Sequence, residues 1–288
     1  MTSETTSHGD RRRASRQRLI ALAAACALAT AVIYGLAVLT TRGQEIDGSA
    51  FGNLSPRINP EAFEATDNLL STISFASVAL LGLLIAALAL VRRRGDLAFA
   101  AVLLLIGANV TTQALKTALP RPDLLDEASS SGSFPSGHVT VAMSLAMAFV
   151  LISPRGVRPL VATVGTLYAA GIGVAVLALD WHRPSDVIGA FLVSTAWAAV
   201  AAAMVGPGRL DRARSPHAGR AAAWAAGVLV VAFVVVAGLT AMDRFDVLSV
   251  VDDRTAFALA TVVVGAGAVA TMGLFVAALR DDDGPAPV

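Results

Sequence analysis

Long runs of apolar residues are the feature that most limits how this chain can fold. Eight such runs occur, and most approach the roughly 20 residues that an α-helix needs to cross a bilayer. Only 15% of the residues are charged, against roughly 25% in soluble domains. Inside a bilayer the backbone must satisfy its own hydrogen bonds, and continuous apolar runs do so as helices. The sequence therefore predicts an all-α membrane bundle with about eight transmembrane helices.

Short polar segments separate the predicted spans. The spans are about 19–39, 70–91, 97–115, 138–153, 160–179, 187–205, 221–241 and 256–279. The domain prediction is a short disordered basic tail at 1–18, a six-helix core at 19–205, a linker at 206–220, two additional helices at 221–279 and a tail at 280–288. The polar stretch 40–69 is expected to be a loop with one short surface helix at most.

The distribution of arginines predicts the orientation of the spans. If the N-terminus lies inside, the inner segments hold fifteen arginines and the outer segments hold six. Cytoplasmic loops carry the excess of positive charge, and eight spans return the C-terminus to the inside. We therefore expect a multi-pass protein of the cell membrane with both termini cytoplasmic. The segregated charge gives no indication of a nucleic-acid partner, and no cluster of Cys and His suggests a metal site.

Three polar clusters fall at span ends that this topology puts on the outer face. They are Lys116 with Arg121, then Ser136-Gly137-His138, then His182 with Asp186. Cations and the unpaired N–H groups of a helix start can hold a phosphate group. One histidine can attack phosphorus while another protonates the leaving oxygen. An aspartate four residues after a histidine can hold the ring nitrogen Nδ1 and leave Nε2 to react.

Simpler interpretations exist for each residue taken alone. Lys116 and Arg121 could extend to the membrane surface as interfacial cations. His182 could belong to an interfacial belt beside Trp181, and Asp186 could serve only as a helix N-terminal charge. Because all of them fall on one predicted face, the sequence favours a joint site for a phosphate ester.

The ordered motifs resemble those of the type 2 phosphatidic acid phosphatase superfamily of membrane lipid phosphatases. That family's pattern is Lys-x6-Arg-Pro, then Pro-Ser-Gly-His, then Ser-Arg-x5-His-x3-Asp, and the resemblance covers about 97–205. It implies that His182 is a nucleophile forming a phosphohistidine, that Asp186 orients it, and that His138 is the general acid. It also implies a phosphate site without metal or cofactor, formed by Lys116, Arg121, Ser136 and Gly137.

Two departures from the family pattern concern the phosphate-binding cations. Four residues separate Lys116 from Arg121, where the family has six. The expected Ser-Arg pair falls on Ala175-Val176, so one arginine is missing. Arg183, beside the expected nucleophile, is a candidate replacement. The loss leaves open altered substrate preference, weak activity or a non-catalytic descendant.

The sequence thus predicts a membrane phosphatase that hydrolyses a lipid phosphate or polyprenyl diphosphate at the outer membrane face. A phosphotransferase, a non-catalytic lipid-phosphate binding or transport protein, and a structural role for the polar clusters are the alternatives. The helices of 221–279 lie outside the resemblance. They are expected either to pack against the core or to support a homo-oligomer.

Overall fold

The computed structural model of the protein describes residues 2–48, 60–71, 75–125, 133–206 and 251–279. All regular structure in these ranges is helical, which confirms the predicted all-α class. Several sequence predictions lie outside the described residues. These are most of the linker 206–220, the predicted span 221–241 and the tail 280–288.

The described ranges contain nine α-helices and one π-helical segment. They are α1 (Thr2–Ile33), the π-helical segment (Tyr34–Val38), α2 (Thr41–Gly48), α3 (Pro60–Ser71), α4 (Phe75–Val91), α5 (Gly95–Ala118), α6 (Gly137–Ile152), α7 (Arg158–Ala178), α8 (Pro184–Val205) and α9 (Val251–Ala278).

Five segments are long and apolar enough to cross a membrane. They are α1 with its π-helical end, α5, α7, α8 and α9. The apolar helices α4 and α6 are shorter. Seven of the eight predicted spans therefore have a helical counterpart in the described residues. The count of eight stays a prediction, because the span 221–241 is not among them.

Helix α6 lies at the centre of the bundle and is buried along most of its length. It packs against α5, α7 and α8, while α8 also packs against α1 and α9. Small residues allow close approach of these helices, as at Gly165, where an added Cβ would lie 2.7 Å from Ala146 Cβ. Helix α9 packs against α7 and α8, which is one of the two arrangements expected for the last helices.

The N-terminal third differs from the sequence expectation in two places. Residues 2–18, expected to form a disordered tail, continue the helix of the first span as part of α1. Each residue added to an existing helix gains a backbone hydrogen bond, so a long span can extend into polar sequence. The stretch 40–69 contains two helices, and α2 is not a surface helix, because its Gln44 and Asp47 are buried.

Candidate active site

One end of the bundle gathers the polar clusters predicted from the sequence. The end of α5, the starts of α6 and α8, and the end of α7 meet there. The segment that follows α1 packs onto the same end, since Tyr34 and Asp47 contact residues of these elements.

His182 and Asp186 form a buried hydrogen-bonded pair. His182 Nδ1 lies 3.2 Å from Asp186 Oδ2, and the two residues are 8% and 0% exposed. The same carboxylate oxygen accepts the backbone N–H of Arg183 at 3.1 Å. Asp186 therefore orients the imidazole ring through Nδ1. No described residue bonds Nε2, which leaves that nitrogen for a substrate.

The backbone turn that ends α7 places His182. Asp180 adopts a left-handed conformation with φ 55°, which ends the helix. The carbonyl of Val176 then accepts the N–H groups of Trp181 at 3.0 Å and of His182 at 3.2 Å. Arg183 follows as the N-cap of α8, and Pro184 is the first residue of that helix, a position that proline favours. The ring of His182 is thus held between two helix ends.

The start of α6 forms a second part of the site. Ser136 caps the helix, with its hydroxyl accepting the N–H of Val139 at 3.5 Å. The N–H of Ser136 donates to the carbonyl of Asp186 at 3.0 Å, which joins the starts of α6 and α8. A Cβ added to Gly137 would lie 3.7 Å from Lys116 Nζ, so the ammonium group lies beside this helix start. Free N–H groups, the helix dipole and a cation together favour an anion.

His138 is the second residue of α6 and lies near both parts of the site. It interacts electrostatically with His182 and Lys116. Its ring centroid is 5.3 Å from that of Trp181, at an interplanar angle of 45°. The structure therefore brings together the two histidines that the sequence analysis singled out.

Arg121 is bound by carboxylates in the described structure. Its Nη2 donates to Asp47 at 3.1 Å, to Ser185 at 3.3 Å and to Asp186 at 3.4 Å. The residue is 5% exposed, and its Nε bonds no described residue. The guanidinium that was expected to hold phosphate is thus also the cation of a buried charge cluster.

Three residues between α1 and the end of α2 hold Arg121, and we call Tyr34, Gln44 and Asp47 the N-terminal clamp. The Tyr34 hydroxyl donates to the carbonyl of Pro120 at 2.6 Å. Gln44 Nε2 donates to the carbonyl of Pro122 at 2.7 Å. The backbone is therefore anchored on both sides of Arg121, while Asp47 binds its side chain.

Asp47 also contacts the first turn of α8. Its Oδ1 accepts the N–H of Ser185 at 2.9 Å, and its Oδ2 accepts the Ser185 hydroxyl at 2.6 Å. Burial, followed by the charge of Asp186, raises the pKa of Asp47, whereas Ser185 and Arg121 act against that rise. Sequence reasoning missed Asp47, because a carboxylate in a polar loop usually faces solvent. Ser185 could have been noticed from its place between His182 and Asp186.

The two positions tied to the missing arginine have different environments. Val176 is fully buried in the apolar core of the bundle. Arg183 is 6% exposed and occupies the N-cap position of α8, next to His182. The structure thus places Arg183, the candidate replacement, within the site.

Comparison with protein families gives a match over part of the chain. The model described as the PAP2 superfamily matches residues 97–209, which include every site residue predicted from the sequence. No curated protein and no solved structure matches the chain. Together with the apolar helices, the family match supports a multi-pass membrane protein. Among the described residues, no group of three or more His, Cys, Asp and Glu side chains is arranged to hold a metal ion.

Proposed function

The chain belongs to the PAP2 superfamily through residues 97–209, and we propose that it is an integral-membrane phosphatase acting on a lipid phosphate or diphosphate. Members of this superfamily are generally phosphatases. The observation that carries the proposal is the buried pair of His182 and Asp186 beside the cationic start of α6. The pair supplies an oriented imidazole, and the start of α6 beside it favours an anion.

In the proposed first step, His182 Nε2 attacks phosphorus. The N–P bond forms while the P–O bond to the lipid breaks, and His138 gives its proton to the departing oxygen. Asp186 holds the Nδ1–H of His182 and stabilises the positive charge that the ring acquires. The product is a phosphohistidine and a lipid with a free hydroxyl group, or a lipid monophosphate from a diphosphate.

In the proposed second step, water hydrolyses the phosphohistidine. The water oxygen attacks phosphorus, its proton passes to His138, and the P–N bond breaks. Phosphate leaves, His182 is neutral again, and His138 is protonated for the next turnover. The same residue therefore serves as acid and then as base, and the proposed cycle needs no metal.

Cations and helix N–H groups would hold the phosphate oxygens during both steps. Lys116 lies beside the first turn of α6, where the N–H groups near Gly137 point away from the helix. Arg183 and Arg121 supply positive charge at the start of α8. These groups would stabilise the charge that develops on the equatorial oxygens in the transition state.

The membrane setting favours a lipid substrate. The site lies at the ends of membrane-length helices, so an acyl or polyprenyl chain can stay in the bilayer while the phosphate enters. The arginine distribution supports a site on the extracytoplasmic face of the cell membrane, with both termini cytoplasmic.

A non-catalytic lipid-phosphate binding or transport protein is the second candidate. Two observations favour it, namely the apolar residue Val176 where the family pattern has arginine, and the bonds of Arg121 to two carboxylates. A phosphotransferase would use the same first step and replace water by another acceptor.

The test is phosphate release by detergent-purified protein in the presence of a chelator. Phosphatidate, phosphatidylglycerol phosphate and a polyprenyl diphosphate serve as substrates. His182→Ala is compared with the control His8→Ala, a substitution in the N-terminal part of α1. We expect release by wild type and His8→Ala, and a loss of about 10³-fold or more in His182→Ala.

Three further results would decide between the candidates. A base-stable, acid-labile phosphoprotein that forms in wild type and not in His182→Ala supports the covalent step. Retained binding of lipid phosphate without any release in wild type would contradict the phosphatase and favour the binding protein. Phosphate transfer to an added alcohol in place of release would favour the phosphotransferase.

A further inference from the structure

The carboxyl group of Asp47 reaches the site from a distant part of the chain. It bonds Ser185, which follows 138 residues later, and Arg121, which follows 74 residues later. The residue is only 6% exposed. It lies outside the family-matched segment 97–209, so no motif assigns it a task.

The hydrogen bonds of Asp47 to Ser185 stabilise the start of α8 and not α2, the helix that contains Asp47. Asp47 is the next-to-last residue of α2, where the helix dipole disfavours a negative charge. Its bond to the N–H of Ser185 lies in the first turn of α8, where the dipole favours one. Local helix stability therefore does not account for an aspartate at this position.

A shared guanidinium connects Asp47 with Asp186. Arg121 Nη2 lies 3.1 Å from one carboxylate and 3.4 Å from the other. Two buried carboxylates that contact the same nitrogen atom are close enough to repel each other unless a cation lies between them. The pKa of Asp47, which burial and Asp186 raise, is held down in part by Arg121, so the two residues depend on each other.

The two oxygens of Asp186 have separate partners. Oδ1 accepts from Arg121 and from the Ser133 hydroxyl, each at 3.4 Å. Oδ2 accepts the N–H of Arg183 at 3.1 Å and lies 3.2 Å from His182 Nδ1. Because Asp47 also binds the Arg121 guanidinium, that group stays on the Oδ1 side, and Oδ2 faces His182 and the Arg183 N–H.

We propose that Asp47 is a positioning residue of this site, which holds Arg121 and the first turn of α8 so that Asp186 keeps its hydrogen bond to His182. This inference rests on the proposed phosphatase function. Asp47 itself makes no contact with the substrate in the proposed cycle. Its effect passes through Arg121 and Asp186.

The test is a double-mutant cycle on kcat/KM for phosphate release. Asp47→Asn alone should lower kcat/KM by about tenfold or more. Arg121→Ala alone should lower it further, because it leaves two buried carboxylates without their shared cation. Adding Asp47→Asn to Arg121→Ala removes one of these charges, so the double variant should recover activity by about tenfold over Arg121→Ala. A residue with a merely structural role would add its loss to that of Arg121→Ala.

Asp96→Asn is the matched control, since Asp96 pairs with Arg94 at the opposite end of α5. It should leave kcat/KM within about twofold of wild type. If Arg121→Ala does not fold, Arg121→Lys replaces it, and Asp47→Asn should then cost less in that background than in wild type. Asp47→Asn with wild-type kcat/KM, or fully additive losses, would overturn the inference. A wild-type protein without any phosphate release would overturn the proposed function, and the inference with it.

Discussion

The carbonyl oxygen of Val176 accepts the backbone N–H of His182 at 3.2 Å. Val176 stands where the related family pattern has an arginine, and its side chain is fully buried in the apolar core. The position therefore contributes a backbone acceptor that places the histidine. Under the proposed function, a cation for phosphate then comes from elsewhere in the site, and Arg183 is next to His182.

Restoring the family's arginine by Val176→Arg should harm the protein. A charged side chain placed in the apolar core costs about 3 kcal/mol or more, since no partner there compensates its burial. We expect a melting temperature lower by several degrees in detergent and no gain in phosphate release. Val157→Arg, at a residue that is 47% exposed before α7, is the control and should be tolerated. Higher phosphate release by Val176→Arg would show that the site accepts a cation from this position.

The proposed role of His138 predicts a dependence on the leaving group. His138→Ala should lose about 10²-fold or more in release from an alkyl phosphate, because no other group protonates the departing oxygen. An aryl phosphate such as p-nitrophenyl phosphate needs no proton at that oxygen, so its first step should be affected far less. The rate of phosphohistidine formation from both substrates measures the difference. Equal losses for the two substrates would contradict the role of His138 as general acid.

Gly189 should be essential for the packing of the segment that leads into α6. A Cβ at this position would lie 2.6 Å from two ring atoms of Phe134, which is 1% exposed. We expect Gly189→Ala to destabilise the protein by about 1–3 kcal/mol and to reduce phosphate release, since Phe134 precedes the Ser136 cap by two residues.

Gly171→Ala is the matched control for Gly189→Ala. Nothing lies within 4 Å of its added Cβ, and the residue is within α7. Alanine is the better helix former by about 0.5–1 kcal/mol, so this variant should be neutral or slightly more stable. Thermal unfolding in detergent compares the two substitutions. Similar melting temperatures for both variants would contradict the close contact with Phe134.

The raised pKa of Asp47 predicts that part of the stability of the folded protein depends on pH. Burial and the charge of Asp186 raise its pKa in the folded protein above the value of about 3.9 in an unfolded chain. The folded state then binds the proton more tightly, so this contribution is complete below about pH 3.9 and is lost as pH rises through the raised pKa. The melting temperature of wild type relative to Asp47→Asn should therefore be higher near pH 4 than at neutral pH. A difference that is constant or grows with pH would contradict the shift.

The sequence predicted those parts of the structure that depend on apolar runs and on the spacing of nearby residues. Apolar runs marked the helices, and the alternation of their direction placed His138 and His182 at the same end of the bundle. The four-residue spacing of His182 and Asp186 anticipated their hydrogen bond, because His182 directly precedes the N-cap of α8 and Asp186 lies in its first turn.

The contacts of the N-terminal clamp could not be predicted in this way. Asp47 and Ser185 are separated by 138 residues, and no periodicity connects two polar side chains across such a distance. The carbonyls of Pro120 and Pro122 give no sequence signal either, since every residue has one. In the described residues, the packing of α1 and of the π-helical segment against α8 brings the clamp to Arg121.

The N-terminal clamp also shows that residues before the family-matched segment contribute to the structure around Arg121. The family-matched segment starts at residue 97, yet the groups that hold Arg121 come from Tyr34, Gln44 and Asp47. A fragment that begins at the family boundary would retain both histidines and lack the side chains that hold Arg121 and the backbone on either side of it. In this chain the family-matched segment is therefore one part of a larger structural unit, whose boundary is set by tertiary contacts instead of by motif.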